Sequence, residues 1–207
     1  GNMNYTIIGA ARSGMAAARL AKKLGEDVFM TEFKPESDYS EQAEELKKLG
    51  VPYEFGGNTE RALESDCIIT SPGVLPSTWI LSEADKRGIK VISELEFGSK
   101  FIKNPIIAIT GTNGKTTTTT LTAYMLNKGG RRAVTAGNIG TPICDLVGGT
   151  DESAVVVAEV SSFQLDRADT FAPQVAMILN ITPDHLYYHG TMENYSLAKW
   201  KISSRQS

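Results

Sequence analysis

Residues 106–128 constrain this chain more than any other stretch. The apolar run Ile106-Ile107-Ala108-Ile109 precedes Gly111-Thr112-Asn113-Gly114-Lys115-Thr116-Thr117, and the segment that follows has helical spacing. A strand, a glycine-bearing turn with a lysine, and a helix in that order form a phosphate cradle. Backbone N–H groups at the helix start point at an anion, and the helix dipole favours it. In such a cradle Lys115 reaches the terminal phosphates and the Thr116 hydroxyl sits on Mg2+, which makes ATP with a divalent ion the expected ligand. The general pattern places about four residues between its first glycine and Gly-Lys; here only Thr112 and Asn113 intervene. A turn with a chance lysine is the competing reading. The threonines at 116–120 are poor helix formers, so something other than local propensity selects the first turn. The helix is expected to reach about Lys128, with Leu121, Tyr124, Met125 and Lys128 at i, i+3, i+4 and i+7, and to stop at Gly129-Gly130.

The chain after this helix supplies further strands. Ala133–Ala136 leads into Gly137-Asn138-Ile139-Gly140, Ala154–Ala158 into Glu159 and then Ser161-Ser162-Phe163-Gln164-Leu165, and Val175–Leu179 into Asn180. Continuous apolar strands alternating with helices imply a mostly parallel, covered sheet. Glu159 follows a buried strand, where a Mg2+ carboxylate belongs; a surface acid is the alternative. Asp184-His185 lies on the same sheet edge, and His185 reads equally as a metal ligand, a substrate contact or a satisfied polar residue. The last helix, roughly Met192 to Ile202, carries Tyr195, Ala198, Lys199 and Ile202 on one face. A lysine on an apolar face is paired, reaches a site, or snorkels to water.

The first half opens with the strand Tyr5–Ile8, the turn Gly9-Ala10-Ala11-Arg12-Ser13-Gly14, a helix ended by Gly25, and a second strand at Val28–Met30 with Glu32 just beyond. This is a Rossmann-like opening. The dinucleotide fingerprint needs a middle glycine where Ala11 stands, which argues against NAD or FAD. Gly9, Arg12, Ser13 and Gly14 could instead hold a nucleotide phosphate on the helix start, or form a turn without a ligand. A charged helix at Ser40–Leu49, a short strand at Tyr53–Phe55 and a clearer one at Asp66–Thr70 follow. The latter ends in Ser71-Pro72-Gly73, on the same sheet edge as the first turn; a bare Pro-Gly turn is the alternative. A helix over Ser77–Lys86 and a strand at Val91-Ile92 precede Ser93 and Glu96, which read as a capping box for a helix reaching Phe101. Asn104-Pro105 breaks that helix and marks a domain boundary, giving units at 1–103 and 104–207.

Composition excludes several classes. A net charge of −3 gives no reason to expect nucleic acid or an anionic membrane as partner. Cys67 and Cys144 sit far apart in apolar or small-residue settings and read as reduced core residues. No apolar run approaches the ~20 residues that span a bilayer.

Together these motifs resemble the Mur ligase family of bacterial peptidoglycan synthesis. Thr110–Thr116 is similar to the family's ATP loop, including its short glycine spacing. Gly137-Asn138-Ile139-Gly140 and Glu159–Leu165 are similar to its D-glutamate-adding branch, and Asn180–His185 and Ala198–Ile202 continue the match in order. The resemblance implies an α/β chain: a Rossmann-like domain binding a UDP-sugar, then a truncated P-loop-type ATPase domain. It implies that Gly111, Thr112, Asn113, Gly114, Lys115, Thr116 and Thr117 bind ATP. Thr116 and Glu159 would place one Mg2+, and His185 and a carbamylated Lys199 a second. Lys115, His185 and Lys199 would be the catalytic residues. Arg12, Ser13, Gly14, Ser71, Gly73, Asn138, Ser161, Gln164 and His185 would contact UDP-N-acetylmuramoyl-L-alanine. The implied reaction is ATP-driven amide formation with D-glutamate through an acyl phosphate, in a cytoplasmic monomer. Two departures stand out. Tyr187 replaces an acidic residue, and the run Asp184–Tyr195 also looks like the diamino-acid-adding relatives. The family also continues past the position of Ser207 with the rest of the ATPase domain and an amino-acid-binding domain. This stretch is therefore expected to bind the nucleotide sugar without turnover. A non-catalytic UDP-sugar-binding module is the reading from another class.

Overall fold

The computed structural model describes residues 2–138, 140–149 and 151–180. Two parallel sheets organise them. The first is built from β1 (Asn4–Ile8), β2 (Asp27–Glu32), β3 (Tyr53–Phe55), β4 (Cys67–Thr70) and β5 (Lys90–Ser93), in the order β3-β2-β1-β4-β5. The second holds β6 (Ile106–Thr110), β7 (Ala133–Gly137), β8 (Val155–Glu159) and β9 (Val175–Ile178), in the order β7-β8-β6-β9. All the pairings are parallel. The helices are α1 (Arg12–Lys23), α2 (Ser40–Leu49), α3 (Trp79–Lys86), α4 (Glu94–Ser99), α5 (Lys115–Lys128) and α6 (Ser162–Asp166). Expected and observed boundaries agree within a few residues; α3 begins at Trp79 rather than Ser77 and α4 ends at Ser99 rather than Phe101. The region beyond 180, including the helix expected near Met192, lies outside the described residues.

The order of the first sheet reverses between β1 and β4. Ile8 pairs with Thr31 on one side and Thr70 on the other, so the turns after β1, β2 and β4 emerge at one edge. This is the switch point where open α/β sheets form a crevice.

Helix α1 explains its own alanines. Ala16, Ala17, Ala18 and Ala21 are fully buried, because α1 packs on β1, β2 and β4 and is also covered by α2, α4 and the short 3-10 turn Ile143–Leu146. Larger side chains would hold these neighbours apart.

Helix α5 ends at Lys128 as the spacing predicts. Leu121, Tyr124 and Met125 are nonetheless 53%, 58% and 62% exposed. The buried face carries Thr119 and Ala123, with Leu126 partly covered against Ile109, Val155 and Val157. Small side chains at 119 and 123 let the helix lie close to the sheet, so packing overrides the spacing of the larger residues.

The two sheets are joined through α4, all of whose first five residues are buried. The Ser93 hydroxyl accepts the Glu96 N–H, which is half of the expected capping box. The other half is absent, because the Glu96 carboxylate turns to the second sheet instead. It accepts N–H bonds from Asp169 (2.6 Å) and Thr170 (2.8 Å) and the Thr170 hydroxyl (2.9 Å). The Ser93 N–H donates to the Arg167 carbonyl, and Arg167 pairs with Asp85. Glu94 accepts the Cys144 N–H at 2.8 Å. An ideal Cβ on Gly98 would lie 2.5 Å from Ile143, so only glycine allows this approach.

Candidate functional site

The turn after β6 is held by backbone geometry. Gly111 (φ 147°) and Gly114 (φ 82°) adopt positive φ, which L side chains rarely reach. Gly114 is also the N-cap of α5, and no side chain caps that helix. The first-turn amides of Lys115, Thr116 and Thr117 therefore face outward from an uncapped helix start. The Lys115 ammonium folds back and donates to the Gly111 carbonyl at 2.7 Å. The Thr116 hydroxyl donates to the Glu159 carboxylate, 3.2 Å to its nearer oxygen. Glu159 is the last residue of β8 and only 5% exposed. No ion pair reaches it among the described residues. A buried carboxylate without a cation is costly, and a threonine hydroxyl beside it completes a pair of hard oxygen donors. These residues fit a divalent cation. Three-residue clusters of His, Cys, Asp or Glu are absent among the described residues; His185 and Lys199, the other expected ligands, lie outside them.

A cleft of about 1040 Å³ opens at the switch point of the first sheet. Arg12, Ser13, Ser71, Gly73 and Asn138, five of the expected substrate contacts, line it. Gly9 (φ 102°) brings the backbone so close to Ser71 that a Cβ would meet its hydroxyl at 2.7 Å. The Ser71 hydroxyl donates to the Ile8 carbonyl, tying the two turns together. Asn138 comes from the other sheet. Its N–H donates to the Glu159 carbonyl at 3.2 Å, and Gly137 pairs with Glu159 in the ladder. The Gly137–Asn138 corner thus touches the cleft on one side and the Thr116–Glu159 pair on the other.

Three expected substrate residues stand elsewhere. Gly14 is buried beneath the first turn, where a Cβ would fall 1.8 Å from the Gly9 carbonyl; its role is close packing of helix on strand. Ser161 and Gln164 are buried and bond to each other as a capping box for α6. Neither lines the cleft.

Several cleft residues are not among the expected substrate contacts. Glu32 accepts the Ala10 N–H (3.0 Å) and the Lys34 N–H (2.8 Å), so it closes the first turn from below. An acid at the end of the second strand is the usual ribose-binding position of such folds, which was the available hint. Tyr39 lies beside Glu32, and burial followed by that carboxylate raises its phenol above the ordinary range. Phe33 and Trp79, 75% and 48% exposed, face the same space. Their rings belong to elements 46 residues apart in number, so no local pattern joins them.

Known proteins place this architecture. Residues 6–80 match the MurD N-terminal domain and residues 109–207 the Mur ligase middle domain. The UDP-N-acetylmuramoylalanine–D-glutamate ligase of Salinibacter ruber is 50% identical over 207 residues, covering 97% of this chain and 45% of that protein. The same-named ligase of Chlorobaculum parvum is 41% identical over 206 residues, covering 97% and 44%. The chain thus spans a little under half the length of these relatives. Among solved structures, the UDP-N-acetylmuramate-alanine ligase of Thermotoga maritima has the same fold, with a TM-score of 0.56 at 24% identity, over 99% of this chain and 48% of that one. A Neisseria ligase, named for UDP-N-acetylmuramate and a diaminopimelate-containing peptide, has a TM-score of 0.59 at 17% identity, over 100% of this chain and 69% of that one. The chain belongs to the Mur ligase family, a MurD-type N-terminal domain leading into a Mur ligase middle domain.

Proposed function

We propose that this chain is the nucleotide-sugar-binding and ATP-loop portion of a ligase that adds D-glutamate to UDP-N-acetylmuramoyl-L-alanine. The observation that carries the reading is the shared Gly137–Asn138 corner, which sets the cleft beside the Thr116–Glu159 pair. A substrate gripped at one end in the cleft can then present its other end to the phosphate loop.

Residues 1–103 form the UDP-sugar domain in this reading, and 104–207 the first part of the ATP-binding domain. Arg12 and Ser13 hold the diphosphate at the α1 start, with Ser71 and Gly73 on the facing turn. Asn138 touches the sugar end. Lys115 leaves the Gly111 carbonyl to meet the terminal phosphates of ATP. Thr116 and Glu159 hold Mg2+, which when bound neutralises charge on the phosphoryl oxygens. His185 and a carbamylated Lys199 hold a second ion. The muramoyl carboxylate takes the γ-phosphoryl group of ATP with release of ADP, giving an acyl phosphate; the D-glutamate amine then attacks the acyl carbonyl, phosphate leaves, and the new amide nitrogen gives up a proton. The catalytic contribution of these residues is mainly electrostatic positioning. The relatives' longer chains supply the parts that complete turnover, and the site of action is the cytoplasm.

Calorimetric titration tests the reading. UDP-N-acetylmuramoyl-L-alanine is expected to bind more tightly than the same nucleotide carrying a longer peptide. A preference for the longer peptide would sink the D-glutamate assignment, and no binding of either would remove the cleft assignment. Mg·ATP is expected to bind the parent and to lose at least about tenfold affinity in Lys115→Ala, the loss of one charge-assisted contact.

A further inference from the structure

The turn that meets phosphate is itself held from outside. Asn180 stands just past β9, and its Oδ1 accepts the N–H groups of Thr112 (2.8 Å) and Asn113 (3.0 Å). Its Nδ2 donates to the Asn113 carbonyl at 2.9 Å. One side chain therefore makes three hydrogen bonds to two consecutive residues of a turn 67 and 68 positions away. The backbone beside it adds a second clamp. The Leu179 N–H donates to the Thr110 carbonyl at 3.0 Å, and an ideal Cβ on Gly111 would lie 3.1 Å from Leu179.

We propose that Asn180 is a positioning residue for the phosphate loop, fixing Thr112 and Asn113 so that the phosphates of ATP are met by the start of α5. The proposal rests on the phosphate-loop reading above. Two consequences give it content. The amides of Thr112 and Asn113 are already satisfied by Asn180, so the donors left for an anion are those of Gly114, Lys115, Thr116 and Thr117, at a helix start with no side-chain cap. The turn also contains two glycines at positive φ, whose freedom would otherwise be lost on binding at the expense of affinity. Only an amide fits the role. It needs an acceptor for two N–H groups and a donor for one carbonyl on the same short side chain. An aspartate keeps the acceptor, loses the donor, and brings a negative charge toward the phosphates.

The test uses the 207-residue chain, NMR amide exchange without nucleotide, and titration with Mg·ATP. In Asn180→Ala the Thr112 and Asn113 amides are expected to exchange about tenfold faster or more, with Val156 and Val157 in β8 unchanged, and Mg·ATP affinity to fall by about tenfold, the worth of roughly one net hydrogen bond. In Asn180→Asp the two amides stay protected while Mg·ATP binding weakens. Unchanged exchange at Thr112 and Asn113 in Asn180→Ala overturns the proposal. So does acceleration spread equally to Val156 and Val157, which would make Asn180 a stability residue. Faster exchange with unaltered Mg·ATP affinity also overturns it. Lys115→Ala separates the two readings: it should weaken Mg·ATP binding by at least about tenfold and leave the Thr112 and Asn113 amides protected. If Lys115→Ala binds Mg·ATP like the parent, the ATP assignment fails, and the exchange data still decide whether Asn180 holds the turn.

Discussion

Glu94 is a carboxyl group with 3% of its surface in water. Burial raises its pKa to about 6, partly offset by the Cys144 N–H that it accepts. The thiol of Cys144 is pushed up in turn, first by burial and then by the Glu94 carboxylate, so it stays protonated and unreactive at neutral pH. The sign of the linkage follows. A carboxyl whose folded pKa lies above its unfolded value stabilises the fold at low pH, and that stabilisation is lost as pH rises from about 4.5 through about 6. The amount is about 2 kcal/mol. Glu94→Gln keeps an acceptor for Cys144 and removes the charge. Its denaturant-unfolding free energy is expected to be flatter between pH 4.5 and 6.5 and to exceed the parent's at pH 7.5 by about 1–2 kcal/mol. A parent-like slope in the variant would assign the pH dependence to another group. A glutamate in the first turn of a helix is ordinarily solvated. Only the neighbouring chain from the second sheet turns it into a desolvated one.

At the scale of elements, α4 shows how a short helix can hold two sheets together. Its Glu96 is fully buried and takes hydrogen bonds from Asp169 and Thr170, while Gly98 admits Ile143 and Cys144. Glu96→Ala would strand two amide donors at this junction, each costing about 1–3 kcal/mol. The variant is expected to lose about 3 kcal/mol in chemical denaturation. Loss below 1 kcal/mol would mean that water replaces the carboxylate. Gly98→Ala is expected to cost about 1–3 kcal/mol by overpacking. The Ser93–Glu96 spacing in the sequence correctly marks the start of this helix. It does not reveal that Glu96 spends its oxygens on residues some seventy positions later. In α5, Thr119 and Ala123 lie on the face buried against the second sheet, while Leu121, Tyr124 and Met125 stand exposed.

At the scale of the molecule, the carboxyl edges of the two sheets converge on the Gly137–Asn138 corner, yet the two sets of contacts remain separate. Arg12 belongs to α1 on the first sheet and Lys115 to α5 on the second. Arg12→Ala is therefore expected to weaken UDP-N-acetylmuramoyl-L-alanine binding by about tenfold, the loss of one charge-assisted contact, and to leave Mg·ATP affinity unchanged. Lys115→Ala should do the reverse. Titration of each variant with each ligand measures this, and a matching loss of both ligands in either variant would place the two nucleotides in a single site. Gly137 links the two regions mechanically: it holds φ 95°, and a Cβ would meet the Glu159 carbonyl at 2.1 Å.

The strand–turn–helix order around Lys115, the parallel architecture, and the turns at Gly9 and Ser71 were all legible in the sequence. They depend on local chemistry: apolar runs that must be covered, glycines where the backbone turns sharply, and helix starts that attract anions. What the tertiary structure decided is which of those residues share a space. It brought Asn138 to Arg12 and Ser71, Thr116 to Glu159, and Asn180 to the turn at Thr112 and Asn113. It set Gly14 in a close helix–strand contact and paired Ser161 with Gln164 at the start of α6, outside the lining of the cleft. The physical reason is range. Local propensity acts over a few residues, whereas these contacts join strand ends brought level by sheet order and register, which no short stretch of sequence encodes.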